Sequence, residues 1–173
     1  MIFTGIKRKS NQLFFNKELP KFLKSNQNHS SNGVKKIIVF LDDISEESTI
    51  RKGLKEILNV ANDDLEVLIF QTKVSKSGNV NGVFTSRDFG WYGKIKSEFL
   101  KSVLTNKYDL LINYSKVDNL YSNLLILSST AVFRVGFAQS DSRFYDLLID
   151  CEKTNIELFN SELKKYLKIL NKL

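Results

Sequence analysis

Two adjacent acids, Asp42 and Asp43, follow the apolar run Ile37 to Leu41 and are the first candidates for chemistry. Carboxylates at the carboxyl end of a buried parallel strand lie where α/β folds bind ligands, and a pair of them can hold Mg2+ for phosphate transfer. That chemistry also asks for an acid at the end of a later strand. The following apolar runs end instead in Asn113 and Gly136, with Asp150 only after the last. The structural alternative is a helix start. Asp43-Ile44-Ser45-Glu46 has capping-box spacing, and Glu47 suits the positive end of the helix dipole. The cap takes precedence here, with Asp42 and Asp43 kept as the catalytic alternative. His29, the single histidine, falls in the polar stretch 25–33, where a general base would be poorly held. The single cysteine, Cys151, stands between Asp150 and Glu152, whose charges suppress the thiolate, and is expected to be a buried structural residue. Neither a Walker loop nor a G-x-G-x-x-G run is present, so no nucleotide cofactor and no metal site are expected.

A second constellation is aromatic. Phe89, Trp91 and Tyr92 lie beside Arg87, Lys94 and Lys96 in the glycine-containing stretch 72–93 and just after it. Interleaved rings and cations suit stacking on nucleic-acid bases. The same cluster can equally fold as an apolar lid over a sheet edge. Arg134, inside an apolar run, is expected to pair with a neighbouring acid.

Charge is divided unevenly along the chain. Residues 1–36 carry eight Lys/Arg against Glu18 alone, which accounts for the whole net charge of +7 over 173 residues. The remainder is balanced. Residues 2–25 intersperse Ile2, Phe3, Ile6, Leu13, Phe14, Phe15, Leu19, Phe22 and Leu23 with Lys7, Arg8, Lys9, Lys17, Lys21 and Lys24 at helical spacing. Pro20 predicts a break near Lys17-Glu18 and a second short helix. This gives a basic helical arm and linker over 1–33 and a body over 34–173.

The body alternates short apolar runs with helical periodicity. Strands are expected near 36–41, 65–71, 109–113, 132–137 and 145–150, with helices over 45–60, 94–105, 120–129 and 154–172. Runs apolar on both faces point to an α/β fold, a Rossmann-like three-layer domain with a mainly parallel five-stranded sheet. No apolar run approaches the length of a membrane span, and Lys7-Arg8-Lys9 interrupts any signal-peptide core, so a cytoplasmic location is expected.

Two resemblances attach to these residues. Tyr108-Asp109-Leu110-Leu111-Ile112-Asn113, the Leu-rich helix and Ala131 to Phe137 resemble the acceptor-side half of heptosyltransferase-like glycosyltransferases. That resemblance implies a Rossmann-like half-domain. The chain departs from it at Leu41-Asp42-Asp43-Ile44, where those enzymes carry Gly-Asp, and it lacks their nucleotide-sugar domain. Across its length the chain is similar to a family of small Bacteroidota proteins without an assigned activity. The similarity rests on the basic arm, Phe84 to Lys96 and Phe159 to Leu170.

The function expected from these features is that of a non-enzymatic binding or accessory protein whose arm faces RNA or the ribosome. The alternatives are an enzyme, or relic of one, acting on a phosphorylated or sugar ligand beyond the first strand, and peripheral membrane association through the arm. The arm's apolar face can also pack on the body or join two copies as a homodimer.

Overall fold

A computed structural model of the chain describes residues 2–25, 33–73 and 82–173. Its six strands are β1 (Ile37–Leu41), β2 (Leu65–Phe70), β3 (Val83–Phe84), β4 (Leu110–Asn113), β5 (Phe133–Phe137) and β6 (Leu147–Ile149). They form one sheet in the order β3-β2-β1-β4-β5-β6, with every strand pairing parallel. The order reverses between β1 and β4.

The apolar runs predict five of these strands, and β3 corrects that number to six. Two residues are too short to show a period. Val83-Phe84 becomes a strand because its neighbour offers a ladder: Ile69 N–H donates to Gly82 at 2.8 Å and Gln71 N–H to Phe84 at 2.9 Å. Gly82 permits the approach, since a Cβ there would stand 2.2 Å from the Val67 carbonyl oxygen.

The central strands β1, β2 and β4 bury both faces. From β1, Ile38 and Phe40 enter one core, and Ile37, Val39 and Leu41 enter the other. The second core is closed by α2 (Glu47–Leu58) and α5 (Ile156–Ile169) through Ile50, Leu54, Phe159, Leu163 and Leu167. The first is closed by α3 (Glu98–Thr105) and α4 (Leu120–Ser128).

Helix α4 is buried from Leu120 to Ile126 on all sides, which requires a second cover. That cover is α1 (Ile2–Ser25), whose Phe15, Leu19 and Phe22 enter the same core. The expected break near Lys17-Glu18 is absent, and Pro20 lies inside one continuous helix. Proline removes the hydrogen bond to the Asn16 carbonyl, but Asn16 and Pro20 are both exposed, so water can take the donor's place. Burial of Phe15, Leu19 and Phe22 on the opposite face outweighs the loss. The linker reading, including His29, lies largely outside the described residues.

Candidate functional site

The carboxyl end of β1 is tied down by hydrogen bonds. Asp43 adopts an extended conformation and caps a short 3-10 turn, Ile44–Glu46, accepting from Ser45 N–H at 2.9 Å and Ser45 Oγ at 2.7 Å. Those two bonds hold the Asp43 pKa below its ordinary value. The cap is one-sided, because Glu46 turns to Lys116 Nζ at 2.5 Å. Asp42 Oδ2 accepts from the backbone N–H of Lys116 at 2.8 Å and of Val117 at 2.9 Å. Lys153 Nζ donates to the Lys116 carbonyl at 2.7 Å. Together these contacts lash the loop after β4 to the end of β1 and to the segment after β6. Both carboxylates therefore have structural work, although Asp42 also borders an open cleft of about 430 Å3. Among the described residues, no group of three or more His, Cys, Asp or Glu is placed to hold a metal ion.

A stability prediction follows from the cap. Asp43→Ala should cost about 1 kcal/mol at pH 7. Because the folded pKa is lowered, the contribution is present above the ordinary carboxylate pKa of about 4 and fades as pH falls through the lower folded value. Urea melts of both proteins at pH 7 and pH 3 should show the difference shrinking in acid.

The aromatic stretch forms a tight hairpin. Phe89 and Ile95 bridge antiparallel, Gly90 N–H donates to the Lys94 carbonyl at 2.6 Å, and Lys94 N–H returns to Trp91 at 3.1 Å. Tyr92 and Gly93 both have positive φ, 52° and 71°, the signature of a type I′ turn. Tyr92 is an unusual choice there, since a left-handed aromatic residue is strained. A capping box, Thr85 with Asp88, sets the approach to the hairpin.

Helix α1 holds the hairpin with polar side chains. Asn11, fully buried, donates through Nδ2 to the Gly90 carbonyl at 3.1 Å and accepts at Oδ1 from Gly93 N–H at 2.8 Å. Ser10 Oγ accepts from Tyr92 N–H at 3.0 Å. Lys7 Nζ donates to the Ser86 and Phe89 carbonyls, both at 3.0 Å. Burial, then the Lys96 ammonium, lower the Lys7 pKa, with Asp88 opposing.

The candidate residues thereby sort into two groups. Trp91 and Tyr92 stand out at 44% and 68% exposure, with Arg87, Lys94 and Lys96 exposed around them. Phe89 is removed from the candidate platform: it is fully buried, its ring 5.0 Å from that of Tyr121. Lys7 is likewise engaged with backbone carbonyls. Arg8, Lys9, Lys17, Lys21 and Lys24 are exposed, and of these only Lys21 is in an ion pair among the described residues, 2.7 Å from Glu18. The two separately predicted surfaces, basic helix and aromatic loop, are thus joined through Lys7, Ser10 and Asn11.

Two further expectations are settled by packing. Cys151 is buried, and burial followed by Asp150 and Glu162 raises its thiol pKa. Arg134 is buried without the expected ion pair among the described residues. Its guanidinium stacks 4.8 Å from the Phe22 ring centre, while Asp146 accepts the Arg134 backbone N–H at 2.8 Å. The aromatic partner comes from α1, a segment more than one hundred positions away, which local reading could not supply.

Sequence reasoning missed Ser10, Asn11, Lys116 and Lys153. A signal existed for the first two, polar residues set on the apolar stripe of α1. None existed for the lysines, whose roles depend on loops meeting in space.

No curated protein and no solved structure matches the chain. A family model described as "Family of unknown function (DUF6913)" matches residues 7–170, from the basic helix to the last turns of α5. The chain belongs to that family.

Proposed function

We propose that the protein is a non-enzymatic, cytoplasmic RNA-binding or ribosome-associated accessory protein. It would take single-stranded RNA along the outer face of α1 and onto the hairpin tip. The observation that carries this reading is the docking of the Trp91–Tyr92 turn onto the basic helix through Ser10 and Asn11. Cations that neutralise phosphates and rings that stack on bases then share one surface, the combination single strands require. A left-handed tyrosine at the tip fits the same reading, because strain of this kind persists where a side chain is needed outward. The body is read as a Rossmann-like domain from its strand order.

Trp91 is the single tryptophan of the chain, so its emission reports on the site directly. Titration with a short single-stranded RNA should quench that emission. Trp91→Ala should weaken binding by about 1–3 kcal/mol, the contribution of one stacked base, followed by anisotropy of a labelled strand. Reversing Arg8, Lys9 and Lys17 to Glu should weaken binding to all sequences alike and flatten the salt dependence, by roughly 0.7 in log–log slope for each phosphate no longer neutralised. Preference for anionic vesicles over RNA would move the assignment to a membrane surface, where Phe3, Ile6 and Leu13 would insert. A concentration-dependent dimer abolished by Leu13→Glu would make the same face a self-association surface.

A further inference from the structure

We infer that the reversal point of the sheet holds a second site, a receptor for an uncharged, hydroxyl-bearing small molecule of the sugar or nucleoside type. Two adjoining spaces lie beyond the carboxyl ends of the strands. One is the open cleft of about 430 Å3 beside Asp42, Phe70 and Gln71, within the size range of small-molecule sites. The other is a polar recess of about 20 Å3 between the ends of β4 and β5, room for one hydroxyl- or water-sized group. Val117 and Asn119 border both, so the recess and the cleft are neighbours across these two residues. The cleft lies where the strand order reverses, the position at which doubly wound sheets bind ligands.

The recess carries hydroxyls whose bonding capacity is unused. Ser115 and Ser122 are 5% and 2% exposed, and neither Oγ has a hydrogen-bond partner among the described residues. Buried hydroxyls are ordinarily paired, and leaving one unpaired costs stability. A third hydroxyl, on Tyr145, accepts from Asn113 Nδ2 at 2.5 Å and keeps its own proton for donation. The charged groups at the recess are engaged elsewhere. Lys153 is bonded to the Lys116 carbonyl, Asp141 to Arg143 and Asp118 to Asn123. The one cation lining the recess is already bonded and Lys73 lines the cleft alone, so the recess itself is poorly suited to a phosphate. Groups that both donate and accept match a ligand hydroxyl, which does the same. Burial raises the Tyr145 pKa to about 12, which keeps that donor protonated across the working range.

The test uses the full chain with D-ribose, myo-inositol and adenosine as probes, followed by amide chemical-shift changes. At least one probe should shift the amides of Ser115, Asn119 and Ser122. Ser115→Ala with Ser122→Ala should weaken that binding about tenfold or more, as expected when two hydrogen bonds to the ligand are removed. The same variant should match or exceed the parent in thermal stability, because it removes unpaired buried hydroxyls. Trp91→Ala should leave probe binding unchanged, which separates this site from the RNA surface. If none of the three probes shifts these amides at roughly 10 mM, beyond ordinary weak affinities, the recess holds water alone and the inference fails. Equal binding by the double-alanine variant also overturns it.

Discussion

Deletion of residues 2–25 should abolish cooperative unfolding, even though it removes most of the excess positive charge and leaves every strand intact. Phe15, Leu19 and Phe22 each bury an apolar side chain in the core on the α4 side of the sheet. At about 1.5–3 kcal/mol apiece they represent roughly 5–9 kcal/mol, comparable to the whole stability of a typical domain. Their removal also takes away the cover of α4 and strips the ring from beneath buried Arg134. Near-UV circular dichroism and urea unfolding would check the result. Phe22→Ala alone should cost about 3–5 kcal/mol. A truncated chain that melts sharply at the parent midpoint would restore the division into a separable arm and a self-sufficient body at residue 33.

Gly93→Ala should be the most damaging single methyl addition in the hairpin. Its φ of +71° disfavours any side chain, and a Cβ would stand 2.3 Å from two atoms of the Phe14 ring. Left-handed strain and overpacking together should cost about 2–5 kcal/mol. The two causes can be separated, because Phe14→Ala relieves the clash and leaves the backbone strain. In a double-mutant cycle the second substitution should therefore recover only part of the stability. Full recovery would mean that the backbone tolerates alanine at this turn. No interaction between the two sites would mean that the hairpin and α1 are not in contact.

Much of the architecture was legible because it is written in short-range patterns. Ile37 to Leu41 or Leu110 to Asn113 cannot be anything but strands buried on both faces once their length and flanks are considered. What escaped was set by partners distant in the chain. Val83-Phe84 is a strand only because β2 presents free backbone groups. Pro20 breaks helices in isolation, yet here the buried stripe at Phe15, Leu19 and Phe22 runs across it. The aromatic stretch could be recognised as a candidate, but the direction of each ring depends on a turn placing Tyr92 in a left-handed conformation. The all-round apolarity of α4 was visible and implied a further cover. Combined with the free apolar face of residues 2–25, it could have assigned α1 to the body. The unpaired serines could not have been foreseen, since a missing hydrogen bond leaves no trace in residue order.

The packing of α1 on α4 has a consequence for how the chain is made. About one hundred residues separate the end of the first helix from the end of the fourth. At about 5–20 residues per second, the apolar face of α1 waits roughly 5–20 s for its cover during synthesis. Contacts this distant also slow folding, because a long loop must close before they repay its entropy. In that interval the emerging polypeptide displays a cationic helix with three uncovered hydrophobic side chains, the state most open to chaperones and to self-association. Helix α1, made well before the helix that covers it, is thus among the last elements to find its place.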